Sequence, residues 1–400
     1  MKHSLTSLGL SKISKALVAP VLAISSISMA ASAIADDDKI KVMTRNIYLG
    51  ADIFPVLAAA QDPNPIAVPL AVTDVWQAVQ ATNFIERAEA LADEINRRRP
   101  HAIGLQEVSI WRTQIPGDFL AGNPTQASDV ALDFLEILMT ELEERGLDYT
   151  VAASVDNADL ELPMVVGFAA DGQTPIFGDL RLSDRDVVLV KNKPSISFSN
   201  VYNGNFTYNG QTSVGGQTIE FTRGYNMLDI NVKGADYRFV NTHLEVGGSE
   251  PFKSLQAVQM NELMQVIDAT TIPSYPVVMV GDFNNDPREE PFISSSGVPG
   301  LDGLPLVPPY LQAVGSGFLD LWLSKKRPQN GYTCCFDDLV SDPNAQLSSR
   351  IDHIFLNPKA REVEKLKAKV VGDSDADMTD TSGLYPSDHA GVFGKIKLDD

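Results

Sequence analysis

Short apolar, strand-forming runs recur along most of the chain. They fall at 40–47, 102–107, 149–154, 164–168, 186–191, 218–222, 225–232, 237–242, 275–280, 318–322, 350–356, 363–371 and 391–397. Other stretches follow a 3.6-residue period. Over 84–98, behind the cap candidate Asn83, one face is marked by Ile85, Ala88, Leu91, Ala92 and Ile95. Over 128–145, Val130, Leu132, Phe134, Leu135, Leu138 and Leu142 mark another, and Gly146 supplies a stop. A more polar helix is expected near 251–268. Helices that interrupt two strand-rich halves predict an α/β fold of two mixed sheets packed face to face, with helices outside. The segments 49–81, 109–127, 155–185 and 286–315 are rich in Pro, Gly and polar residues. They read as long surface insertions, which often shape a substrate cleft.

The first 35 residues have a different pattern. Lys2, Lys12 and Lys15 form a basic region, Ala16 to Ile27 is apolar, and small residues close it at Ala31-Ser32-Ala33 and Ala33-Ile34-Ala35. That is the order of an export signal, too short in its apolar part to span a bilayer comfortably. The expectation is a secreted or periplasmic protein cut near Ala35, with residues 36–400 as a single domain. Loss of three lysines and no acids takes the formal charge from −20 to −23. So acidic a surface repels phosphate backbones except where a bound cation inverts the local sign.

Cys334 and Cys335 are the only cysteines. Adjacent residues do not make a fold-holding framework, so a local vicinal disulfide or two partly buried thiols are the alternatives. Two thiols alone make a poor zinc site.

Chemistry gathers where strands meet loops. The run Val277-Val278-Met279-Val280 leads into Gly281-Asp282-Phe283-Asn284-Asn285-Asp286, a concentration of oxygen ligands beside a buried strand. Similar junctions carry Thr44-Arg45-Asn46, Gly104-Leu105-Gln106-Glu107, Asn241-Thr242-His243, Ile351-Asp352 and Ser387-Asp388-His389. Each alone is a weak signal, since Asp-Phe-Asn also makes a simple Asx turn. Asp352 and His353 are neighbours on a strand and point to opposite faces, so His353 reads as structural. Asp286, before Pro287, reads as a turn residue.

Together these pieces resemble the endonuclease/exonuclease/phosphatase superfamily, the deoxyribonuclease I-like group, over roughly 39–398, as an exported bacterial-type member. The resemblance implies a four-layer α/β/β/α sandwich. It implies metal binding by Asn46, Glu107 and Asp388, with Mg²⁺ expected and Mn²⁺ or Ca²⁺ as alternatives. Asp282 and Asn284 would orient the attacking water and grip the phosphate. His389 would be the catalytic histidine with Asp352 as its orienting carboxylate, and His243 a second histidine on the phosphate. Arg185 and Asp186 would supply a phosphate-facing arginine and a partner for His243. Thr333 reads either as a cleft threonine or as a plain strand residue. Arg45 departs from the family pattern, which has tryptophan there; it contacts phosphate or pairs with an acid. The implied activity is a metal-dependent phosphodiesterase acting on nucleic acid, phospholipid or a small phosphoester, with no obligate protein partner. The alternatives are a catalytically inactive binding module on the same fold and a calcium-stabilised adhesion domain.

Overall fold

Alternation along the first strand sets the layering. In Lys39–Asn46, Ile40 and Val42 point into one apolar core and Met43 into another. The computed structural model describes residues 39–214, 217–325 and 330–399. The expected export signal lies outside the described residues.

One sheet runs in the order Val363–Val371, Gly391–Leu398, Lys39–Asn46, Ala102–Gln106, Pro175–Lys191, Ile110–Gln114 and Asp129–Asp133, with Tyr149–Phe168 also paired to Pro175–Lys191. The second runs Leu319–Asp320, Asp352–Asn357, Val277–Asp282, Ala235–His243, Gly224–Val232 and Ile196–Asn205. Each is mixed, with one parallel pair: Lys39–Asn46 beside Ala102–Gln106, and Ala235–His243 beside Val277–Asp282. Between the sheets lie Val42, Ala102, Val188, Phe239, Val278 and Ile354. Outside the first sheet, Val75, Leu91 and Leu138 come from helices Ala67–Ala81, Phe84–Arg98 and Phe134–Glu144. Outside the second, Met260 and Ile267 of Phe252–Thr270 and Ala313 of Pro309–Gly315 do the same. Three cores between four layers give the α/β/β/α sandwich.

Four expectations are corrected. Residues 155–185 are mostly the arms of a long hairpin, Tyr149–Phe168 with Pro175–Lys191. Exposed Asp156 and Asp159 alternate there with buried Val155 and Asn157, so polar residues that read as loop are the outer face of a strand. Segment 49–81 holds helices Phe54–Ala59 and Ala67–Ala81. Its prolines mask the spacing Val72, Val75, Val79, and Pro69 sits in a first turn where its missing N–H costs nothing. Over 128–145, a strand Asp129–Asp133 comes first, and Asp133 then caps the helix by accepting from the amides of Leu135 and Glu136. On Phe84–Arg98, Ile85 is exposed and the buried face includes Phe84, Arg87 and Glu94. The helix is turned so that two charged side chains reach inward as ties.

The sheets approach closely at Gly104. A Cβ there would lie 2.3 Å from Asn241 Oδ1 and 2.7 Å from a Val280 methyl. The vacant space admits the Asn241 amide from the opposite sheet. It accepts from Gln106 Nε2 at 2.6 Å and donates to Leu105 O at 3.2 Å. Gln106 in turn accepts from Thr44 Oγ1 at 3.3 Å. This polar lock lies directly beneath the strand ends. Gly104→Ala should lower the urea unfolding free energy by about 1–3 kcal/mol by forcing the sheets apart; an unchanged midpoint would show that the close approach is unnecessary.

His353 is buried against Arg350 and Asn285. Its Nε2 is 3.0 Å from Asn285 O, and its Nδ1 is 3.1 Å from Arg350 Nη1. Burial and the Arg350 charge pull its pKa down to about 4. A group whose folded pKa lies below its unfolded value makes the unfolded state take up protons first. Stability due to neutral His353 is therefore full above pH 6.5 and falls as pH drops toward 4. By pH 5 the loss should reach about 2 kcal/mol. In urea titrations, His353→Gln should flatten this part of the pH profile; an identical profile would refute the assignment.

Candidate active site

Both parallel pairs deliver side chains at their C-terminal ends, where α/β sheets commonly place ligands. In the first sheet Asn46 stands level with Gln106, and Glu107 follows. In the second, His243 is level with Asp282 and Asp282 with Asp352, one row across three strands. Glu107 and Asn284 both take left-handed backbone, with φ of 59° and 51°. Non-glycine residues accept that strain where the surroundings hold them, often at functional sites.

The two sets of side chains meet. Asn46 Nδ2 donates to Glu107 Oε1 at 2.9 Å and to Asp282 Oδ2 at 3.1 Å. Glu107 Oε2 accepts from the Leu49 amide at 2.8 Å. Asp282 Oδ2 lies 3.6 Å from His243 Nε2 and 3.7 Å from His389 Nδ1, so one carboxylate stands between two imidazoles. His389 Nδ1 is 2.9 Å from Asp352 Oδ2. Asn284 Nδ2 donates to Leu244 O and lies 3.2 Å from His243 Nε2. These groups border a pocket of about 390 Å³ whose walls include Glu107, His243, Asp282, Asn284, Asp388 and His389.

Electrostatics separates the two histidines. Burial lowers the His389 pKa, but the charges of Asp352, Asp388 and Asp282 outweigh it and hold the pKa well above the usual value. Burial and then the Arg223 charge keep His243 well below it, and so neutral. Burial, together with the neighbouring Asp352 charge, pushes Asp282 up to about 7. Burial and Asp388 raise Glu107. Burial raises Asp388, against the pull of His389 and Arg87. The carboxylates of Glu107, Asp388 and Asp282 border one pocket, and carboxylate oxygens fit a hard divalent cation. The ligand atoms of Asp282, Asp352 and His389 also lie within 4.8 Å of one another.

Backbone ties fix the strand ends. The Ser387 hydroxyl donates to Asn46 O at 2.9 Å and accepts from the His389 amide at 3.1 Å. Arg45 is not among the pocket walls. It pairs with Glu94 at 3.2 Å and donates to His389 O. Arg87 is fully buried and donates to Ile47 O, Tyr48 O and Pro386 O. Burial draws its pKa down to about 10.

Two expected substrate contacts are corrected. Arg185 pairs with Asp133 and donates to Val108 O, which turns its guanidinium away from the pocket walls. Thr333 is fully buried, and its hydroxyl accepts from the amides of Ile351 and Asp352. It braces the strand that carries Asp352. Asp186 approaches His243 Nδ1 at 3.9 Å, and Asp184 lies in the same acidic group. Sequence reasoning missed Arg223, which lines the pocket 3.1 Å from His243 Nδ1 and pairs with Glu245 at 3.5 Å. Its signal was the pairing register, since Gly224 is level with His243. Cys334 and Cys335 form a vicinal disulfide, and Cys335 Sγ lies 3.9 Å from His389 Nε2.

A sequence-family model described as "Endonuclease/Exonuclease/phosphatase family" matches residues 79–389. Among solved structures, an endonuclease/exonuclease/phosphatase family protein from Bacteroides thetaiotaomicron is 14% identical, with a TM-score of 0.50, covering 90% of this chain and 98% of its own. A mannosyl-6-phosphatase from the same species (15% identity, TM-score 0.48, 90% and 100% covered) and a truncated TDP2 from Caenorhabditis elegans (14%, 0.44, 90% and 97%) are also similar. No curated protein sequence matches. Members of the matched family are hydrolases of phosphoesters, and the extent of the match, taken with the four layers and the convergent strand ends, means that this chain belongs to the endonuclease/exonuclease/phosphatase family.

Proposed function

We propose that the protein is an exported, Mg²⁺-dependent phosphodiesterase. The observation that carries this reading is the carboxylate of Asp282, held between His243 and His389 and linked to Glu107 through the Asn46 amide. With the Asn46 amide positioning the Glu107 carboxylate through Nδ2, Glu107 and Asp388 would hold the cation. When bound, it polarises the phosphoryl oxygens and offsets the negative charge that repels a nucleophile.

The chain's own groups account for the rest. Water attacks phosphorus in line with the departing ester oxygen; the new P–O bond forms as the ester bond breaks. Asp282, with a pKa of about 7, is matched to accept the proton of that water near neutral pH. His389, kept cationic and oriented by Asp352, offers Nε2 to a phosphoryl oxygen. Asn284 and Arg223 add fixed donors. Neutral His243 completes the wall opposite. The acidic chain, at −20 overall, favours a small or lipid-like phosphodiester over long nucleic acid. The amino-terminal pattern of Lys2 to Ala35 supports export. An inactive binding module explains the intact set of Glu107, Asp282 and His389 less well, because binding alone does not need it.

Wild-type protein should hydrolyse bis-p-nitrophenyl phosphate with Mg²⁺ and stop on addition of chelator. His389→Ala should lose about 10²–10⁴-fold in kcat. Equal turnover by wild type and variant, or none by wild type, would sink the reading.

A further inference from the structure

The catalytic pocket has an apolar neighbour. A slot of about 50 Å³ lies between the helices of segment 49–81 and the first sheet, lined by Val72, Val75, Trp111, Leu160 and Leu182 among others. Nearly all of its lining is hydrocarbon. Ile53, Leu57 and Phe221 wall both the slot and the catalytic pocket. The catalytic pocket's lining also includes Leu49, Ala51 and Phe54.

The proposed phosphodiesterase chemistry uses the polar part of the same lining, made by Glu107, Asp282 and His389. A phosphodiester carries two esterified groups, and the polar residues account for the phosphate alone. We propose that the slot is a subsite for a linear alkyl chain esterified to that phosphate. The reading deepens the phosphodiesterase assignment and rests on it. Size supports the occupant. One water-sized sphere needs about 10–15 Å³, so a slot of about 50 Å³ admits only a short chain of a few carbons. A nucleobase or a sugar would leave its polar groups without partners among Val72, Val75 and Leu182. Apolar cavities of this kind stay dry and accept hydrocarbon. Segment 49–81 thereby gains a role: its short helix Phe54–Ala59 brings Leu57 into the shared wall, and Ala67–Ala81 supplies the floor through Val72 and Val75.

Calorimetry with Mg²⁺ and a series of n-alkyl monophosphates, from methyl to octyl and all below their micelle concentrations, reads the slot without requiring turnover. Affinity should rise roughly three- to fourfold per methylene over the first few carbons and then level off. Leu57→Gln and, separately, Leu160→Gln should reduce the ratio of hexyl to methyl affinity by at least tenfold. Both side chains are only partly buried, which favours folded variants. A flat series in the wild type, or variants that keep its slope, would overturn the proposal. Hydrolysis of methyl p-nitrophenyl phosphate by the same preparation separates this failure from the wider one. Turnover with a flat series leaves the phosphodiesterase reading standing and removes only the slot. Lack of turnover on every diester removes both.

Discussion

One amide joins the two halves of the site. Asn46 ends a strand of the first sheet, yet its Nδ2 donates to a carboxylate from each sheet, Glu107 and Asp282. Its Oδ1 is occupied by the Tyr48 amide at 2.9 Å, which fixes the orientation of the side chain. The spacing between sheets therefore sets the spacing of the acids. That spacing is set in turn by the Gly104 and Asn241 contact just below, where no side chain on the first sheet keeps the backbones apart.

Buried charge holds the loops around this link. Arg45 spends its guanidinium on Glu94 and on the carbonyl of His389, and Arg87 spends its own on carbonyls of Ile47, Tyr48 and Pro386. Removing one partner of such a buried set costs more than the set contributes, because it strands the other. The same economy appears in the second sheet, where the hydroxyl of Thr333 braces Asp352 from behind. Few of the polar groups at the strand ends act alone. The residues that face the pocket are held by a layer of residues that do not.

Much of this was legible in the chain. Apolar strands that end in Asn, Glu, Asp or His mark where each sheet stops, and the parallel pairs bring those ends to one side. The row His243, Asp282 and Asp352 follows from register. Other parts were not legible for physical reasons. A buried arginine on a helix looks like a solvated one until its carbonyl partners are known, so Arg87 passed unread and Ile85 was taken for a core residue. Arg185 sits beside Asp186 in sequence, but alternation sends the two side chains to opposite faces. Arg223 became visible only once Gly224 was level with His243. The proline-studded 49–81 segment hid helices because first-turn proline does not break a helix.

The site is thus an acid-rich junction in which both sheets supply oxygen ligands, the second supplies a neutral imidazole in His243, and the loop entering Gly391–Leu398 of the first supplies a cationic one in His389. Burial raises the pKa values of Glu107 and Asp282, and the neighbouring charges of Asp388 and Asp352 add to it, an arrangement that a bound cation would relieve. Anomalous diffraction from crystals soaked in Mn²⁺ tests this most directly. The account predicts one strong peak at bonding distance from the Glu107 carboxylate, within the pocket that Asp282 and Asp388 also border. A pocket free of anomalous signal, with ions bound only at surface acids elsewhere, would contradict it.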